Sequence, residues 1–284
     1  MSFSHEVKET ISGIISQTKG ERTKELQAFY LLVGSVERDG LIVFATENIL
    51  VAKKIIILLH EFFKGKYSFR VQYRGRFRKV FYIVNLYTKD TEFFELKKIV
   101  KKKEKSAFLR STFLARGSLT DPKKGYHLEL RCPSFTAYIM LGDLLSSFGV
   151  EAKGITRKNV FFLYLKDGEM ISDFLKIIGA YHFMFLFEET RVIKEMKNMA
   201  NRRNNCDLAN LDKTIKAANK QVKIIKSIGI GNLPVNLREI ATLRLEHPEL
   251  SLAELGELCS PPLKKAAVNY RLKKIESLKR CLND

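Results

Sequence analysis

Apolar positions recur along the chain in two alternating rhythms, a period of three to four that marks helices and a period of two that marks strands. Val7, Ile11, Ile14 and Ile15 predict a helix over His5–Ser16. Glu25–Val33 is apolar almost all round, which predicts a buried helix. Ser35–Thr46 reads as a hairpin turning at Arg38-Asp39-Gly40, and Ile49–Phe63 as a long amphipathic helix. Strands are predicted over Tyr67–Tyr73 and Phe77–Tyr87, joined by the basic turn Arg74-Gly75-Arg76, and a helix over Thr91–Val100.

The pattern then restarts. Ala107–Arg116 is an apolar helix like Glu25–Val33, and Ser118–Leu119 and Tyr126–Arg131 read as strands. Ser134–Phe148 is a helix ended by Gly149; Val150–Ile155 and Asn159–Lys166 form a strand pair, and Ile171–Ile178 is a helix. This order is a duplicated αββαββα unit with an offset of roughly eighty residues. Such a unit has one sheet face covered by helices and one left open. Helix continues over Arg191–Lys197, into a stretch to Cys206 that is dense in Asn and Arg and lacks apolar periodicity. Beyond it only helices are predicted: Asp212–Ile228, Asn236–Glu246, Ser251–Leu258 and Lys264–Lys279. The expected architecture is α+β. A pseudo-symmetric domain spans residues 1–200, with halves of about 1–100 and 101–200, then a linker over 201–210 and an all-α domain over 211–284.

Composition adds a partner class. The net charge is +19, and each Lys or Arg that neutralises a phosphate releases a counterion, so a polyanion is favoured. Cys132, Cys206, Cys259 and Cys281 lie far apart and the five histidines show no ligand spacing, which argues against structural zinc or a disulfide framework. Met1–Thr10 lacks the basic-then-apolar pattern of a signal peptide, and Lys53, Lys54, His60 and Glu61 bracket Ile55–Leu59 too closely for a membrane span. A soluble, cytoplasmic, nucleoid-associated protein with no cofactor is expected.

The two restarting helices carry the most information. Leu26 is followed by Ala28, an apolar run, then Val33-Gly34-Ser35; Leu109 by Ser111, then Arg116-Gly117-Ser118. This pair resembles the LAGLIDADG homing-endonuclease family. The resemblance implies two central helices in close approach at Ala28 and Ser111, and a metal-binding acid just before each final Gly. Those positions here are Val33 and Arg116, and neither can supply the hard oxygen ligand that Mg²⁺ takes. A rival register ends at Asp39-Gly40. It would place Gly34-Ser35 inside a helix, where Gly costs ~1 kcal/mol relative to Ala. Its second copy offers only Asp121-Pro122. On the expected open sheet face, Arg70, Gln72 and Arg74 share one side by period two. Arg76, Arg78, Lys79, Lys153, Arg157 and Lys158 add charge. A solvated strand face is the plainer alternative.

Near the C-terminus, Ser251 and Glu254 form a capping-box pattern, with Leu252, Leu255 and Leu258 facing inward and Pro261-Pro262 breaking the chain. A second helix buries Val268, Leu272 and Ile275. This is helix-turn-helix form, whose second helix enters the major groove. Lys265, Asn269, Tyr270 and Lys273 lie off the apolar stripe, and Lys265 and Asn269 are the candidates for base edges. Lys264, Arg271 and Lys274 are candidates for phosphate, as are Arg202 and Arg203 in the linker.

Across its length the chain resembles the WhiA family of bacterial regulators, in which a disarmed LAGLIDADG domain is fused to a helix-turn-helix. The further segments that carry this are Tyr164–Gly168, Ile171–Leu175, Gly179-Ala180, Asn201–Cys206 and Arg271–Lys274. The resemblance implies a non-catalytic, sequence-specific regulator of transcription linked to cell division, chromosome segregation and sporulation. It acts on double-stranded DNA, with other transcription regulators as further partners. Lys264-Lys265-Ala266 departs from the Ser-Lys-Ser associated with the family, which leaves base preference open. A metal-dependent site-specific endonuclease and an RNA-binding protein are the alternatives, and the second lacks a stacking-aromatic motif.

Overall fold

In the computed structural model the described residues are 2–37, 40–74, 79–88 and 90–281, with the backbone alone of Arg74, Arg280 and Cys281. The chain divides into two compact units, the first ending at Lys194 and the second beginning at Glu195.

In the first unit α1 (Phe3–Ser12) leads into α2 (Lys19–Val33), β1 (Gly34–Val36), β2 (Leu41–Thr46), α3 (Ile49–Phe63), β3 (Tyr67–Arg74) and β4 (Lys79–Tyr87). The second copy is α4 (Lys102–Arg116), β5 (Gly117–Leu119), β6 (Leu128–Cys132), α5 (Phe135–Ser146), β7 (Lys153–Arg157), β8 (Val160–Leu165) and α6 (Gly168–Ile177). The two antiparallel sheets have the same order, β1-β2-β4-β3 and β5-β6-β8-β7, as duplication predicts.

Helix starts follow local chemistry. The side chains of Thr18, Asn48, Ser134 and Asp167 accept hydrogen bonds from first-turn N–H groups. That satisfies donors an N-terminus leaves unpaired. α2 and α4 have 15 residues each and pack along one another at the centre of the unit. Ala28 and Ser111 are both buried there. α2 ends at Val33 and β1 begins at Gly34, so the rival register with Gly34-Ser35 inside a helix is excluded. Gly34 and Gly117 are needed for space. A Cβ would stand 2.5 Å from the Tyr30 carbonyl oxygen at Gly34 and 2.3 Å from the Phe113 ring at Gly117. Ile42, Phe44, Val84 and Leu86 of one sheet, and Leu128, Leu130, Leu163 and Leu165 of the other, join the helices in one core.

The expected helix over Thr91–Val100 is absent; only a 3-10 turn at Glu92–Phe94 forms. Its apolar spacing serves another purpose. The buried Gln27 amide donates to the carbonyls of Phe93 (2.6 Å) and Glu95 (3.2 Å), while Phe93 and Phe94 pack on Phe63.

The expected linker over 201–210 is helical. It lies within α7 (Tyr181–Ile228), a helix of 48 residues. A helix satisfies its backbone internally, so a polar run can remain helical without an apolar stripe. In the second unit the end of α7 packs with α8 (Val235–Glu246), α9 (Leu252–Glu257) and α10 (Lys265–Cys281). Ile225, Leu237, Ile240, Leu255, Val268, Leu272 and Ile275 form its core. No helix among the described residues is long and apolar enough to cross a membrane.

Candidate nucleic-acid interface

The helix pair α9–α10 is built on a reciprocal cap. Glu254 N donates to Ser251 Oγ at 3.4 Å, and Ser251 N donates to Glu254 Oε2 at 2.7 Å. The latter bond holds the Glu254 carboxyl below its ordinary range. Residues 258–264 form the connection, longer than the three or four residues common in this motif. Leu263 N donates to Gly256 O at 2.8 Å, and a Cβ on Gly256 would lie 2.1 Å from the Leu263 carbonyl oxygen. Arg244, fully buried, donates to the Leu250 carbonyl at 2.7 Å and fixes the entry to α9. Burial pulls its guanidinium below the usual range. Leu258 was expected inward and is exposed; α9 ends at Glu257, and Cys259 takes the inward place.

α10 then presents its outer face. Lys265, Tyr270, Lys273 and Lys274 are exposed and Asn269 is partly exposed, away from Val268, Leu272 and Ile275. Lys264 is exposed just before the helix. Arg271 is turned toward α8, where its Nη1 lies 3.7 Å from Glu239 Oε2. Sequence reasoning missed a groove of about 670 Å³ beside α10, lined by Lys216, Lys220 and Lys223 of α7 and by Glu276 and Lys279. Spacings of four and three along α7 were its available signal. Lys220 pairs with Glu276 at 3.2 Å. Arg202 and Arg203 are exposed on α7.

In the first unit, strand register sets Arg70 and Gln72 opposite Ile83 and Phe81, on the side away from the helix-packed Val84 and Leu86, and pairs the Arg74 backbone with Lys79. The Arg74 side chain, Asp39, Arg76 and Arg78 lie outside the described residues. Lys153 and Arg157 share the corresponding face of the second sheet through β8. Lys158 sits in the β7–β8 turn with φ 48. Arg157 is held 3.0 Å from Glu129. Arg131 also projects from this face, since Leu130 and Cys132 beside it are buried. The alternation in Leu128–Cys132 carried that signal.

At the ends of the central helices, Val33 and Arg116 line a cleft of about 230 Å³ with Glu47. Arg116 donates from Nε to the Leu32 carbonyl at 3.1 Å, across to α2. A second cleft of about 200 Å³ is lined by Arg116, Arg131, Cys132, Pro133 and Val160. Burial, then Arg131, holds the Arg116 guanidinium below its ordinary range, with Glu47 opposing. Lys8 of α1 lies over the Phe113 ring, and burial followed by Arg116 pushes its amine down to about 8.

These residues do not fit a divalent metal. Glu47 is the one acid lining the two clefts, and it stands 3.7 Å from Lys79. Burial pushes the Cys132 thiol up to about 11, so it offers no thiolate. Among the described residues no group of three or more His, Cys, Asp or Glu side chains could hold a metal ion. Mg²⁺ requires near-octahedral oxygen ligation, which one carboxylate among cations cannot anchor.

Known proteins resemble the chain throughout. A family model described as the WhiA LAGLIDADG-like domain matches residues 105–197, and one described as the WhiA C-terminal HTH domain matches residues 200–279. A "Probable cell division protein WhiA" from Thermoanaerobacter sp. (strain X514) is 36% identical over 315 residues, covering 100% of this chain and 99% of that protein. One from Lachnoclostridium phytofermentans is 37% identical, covering 98% of each. Among solved structures, full-length DUF199/WhiA from Thermatoga maritima matches with a TM-score of 0.63 at 25% identity, over 98% of each chain. The N-terminal LAGLIDADG domain of DUF199/WhiA matches with a TM-score of 0.55 at 25% identity, over 63% of this chain and 92% of that one.

Proposed function

The chain belongs to the WhiA family, and from that premise we propose that it is a sequence-specific double-stranded-DNA-binding regulator of bacterial transcription tied to cell division. The resemblance extends this role to chromosome segregation and sporulation. The observation that carries the reading is α10. A capped helix and a connection pinned by the Leu263 N–H on the Gly256 carbonyl hold it, its core face is apolar, and Lys265, Asn269, Tyr270 and Lys273 remain outward. Asn bonds adenine bidentately and Lys donates to guanine, so Lys265 and Asn269 read bases. Lys264, Lys273, Lys274, Arg202 and Arg203 hold phosphates, which position the helix without reading sequence. Arg70, Gln72, Arg74 and Arg76 extend the grip from the first sheet. Other transcription regulators are further partners.

The protein acts without cleaving DNA. Val33 and Arg116 in place of paired acids support this, because cleavage in this fold needs carboxylates to hold its metal ions. A promoter-wide footprint of wild type beside Asn269→Ala tests the first claim. The variant is expected to give a weaker, less selective footprint, and an unchanged pattern would overturn the assignment of α10. Plasmid incubated with the protein and Mg²⁺ or Mn²⁺ tests the second, with no nicking expected. Competition of labelled duplex by RNA should release little of the bound DNA.

A further inference from the structure

Arg116 and Arg131 line one cleft of about 200 Å³ whose other walls are Cys132, Pro133 and Val160, none of them an acid. They come from different elements, the end of α4 and the open face of β6. Two guanidinium groups repel, and Arg131 lowers the readiness of the partly buried Arg116 to hold its charge. Glu47 lines the neighbouring cleft with Arg116 and partly offsets its charge, while standing 3.7 Å from Lys79. Lys8 adds a third positive group beside Arg116.

Arg116 is also aimed. Its Nε is committed to the Leu32 carbonyl, which restrains the guanidinium and leaves its Nη groups to face outward partners. Among the described residues Arg116 and Arg131 form no ion pair. A planar fork with free N–H groups matches two oxygens of one phosphate. Arg131 and Pro133 are exposed, so the cleft opens to the surface where a backbone phosphate can reach it.

We propose that Arg116 and Arg131 form a phosphodiester-binding site where the end of the central helix α4 meets the open face of β6. The ligand is one phosphate of the DNA backbone. The site rests on the DNA-binding reading above and extends it to a part of the fold that sequence reasoning left as a lost active site.

The experiment is fluorescence anisotropy of a labelled duplex against full-length wild type, Arg116→Met, Arg131→Met and Asn269→Ala, over a range of salt. Arg116→Met and Arg131→Met should each weaken binding about tenfold and reduce the salt slope by about 0.9. Asn269→Ala should lower selectivity and leave the slope in place. Arg131 projects from the sheet, so its variant remains informative if Arg116→Met fails to fold, and Arg116→Lys should recover part of the loss. Unchanged affinity and slope in both arginine variants would overturn the site while α10 still reads DNA. A wild type that binds no duplex would instead overturn the reading beneath it. A third arm titrates inorganic phosphate alone. Saturable phosphate binding lost in Arg116→Met, with duplex affinity unmoved, would also sink the proposal, because the ligand would be a free anion.

Discussion

Arg110 of α4 donates from Nε and Nη2 to one oxygen of Glu25 in α2, at 3.2 and 3.1 Å, so that a buried ion pair joins the two halves of the duplicated domain. Arg110 Nη2 also donates to Ser16 Oγ at 2.7 Å. Lys54 of α3 stands 3.9 Å from the other Glu25 oxygen and donates to the carbonyls of Ser12 and Ile14. Removing one member leaves the others charged and buried. Arg110→Met should therefore cost about 3–5 kcal/mol. Replacing Glu25→Leu and Arg110→Met together should cost less than the two single changes summed. Urea denaturation followed by circular dichroism measures both, and strict additivity would show that the pair is not coupled.

Gly256 offers a sharper local test. Its Cβ position is 2.1 Å from backbone, the Leu263 carbonyl oxygen, and backbone cannot swing aside as a side chain can. Gly256→Ala should destabilise the second unit by roughly 1–3 kcal/mol, the usual range for overpacking. It should lower the thermal midpoint and weaken duplex binding together. A variant with wild-type melting and wild-type affinity would show that the α9–α10 connection is looser than its geometry.

Lys8 makes stability depend on pH in a definite sense. Its folded pKa is pushed down to about 8, first by burial and then by Arg116. The unfolded amine titrates near ~10.4. Between those values the unfolded chain binds more protons, so this group's contribution to stability rises with pH. Below pH 8 the folded protein carries the whole penalty. Lys8→Met should raise the melting temperature at pH 7, and the gain should fade toward pH 10.5. Calorimetry at the two pH values decides it, and an equal gain at both would remove Lys8 as the cause.

Two basic residues of α10 should behave differently although sequence reasoning grouped them. Lys274 is exposed, whereas Arg271 lies beside Glu239. Lys274→Ala should lower affinity for all sequences alike and reduce the salt slope by about 0.9. Arg271→Ala should lower the melting temperature and leave the slope close to wild type. Matched binding and melting curves separate the two, and a reduced slope in Arg271→Ala would return it to the phosphate-contacting set.

What could be read from the sequence was mostly local. Ile49–Phe63 emerges with its predicted limits because Asn48 caps it and its apolar stripe is continuous. The register of the central motif was legible because Gly34 and Gly117 sit against the preceding turn, where no Cβ fits. Thr91–Val100 misled because Phe93, Phe94, Leu96 and Ile99 are spaced like a helix face. Their partners Gln27 and Phe63 lie far away in sequence, and the segment follows them. The polar stretch over 201–210 misled in the opposite sense, since a missing apolar stripe marks exposure and not the end of a helix. Arg131 and Lys8 became visible as neighbours of Arg116 only once β6, α1 and α4 were brought together.

The guanidinium of Arg116, tied to the carbonyl of Leu32, also bears on how the protein meets its surroundings. A bound ion can be stripped by a chelator or diluted away when supply falls. A side chain is installed once, at translation, and stays. Gripping DNA through this point should therefore survive EDTA, with magnesium acting only as a competing counterion on the phosphates.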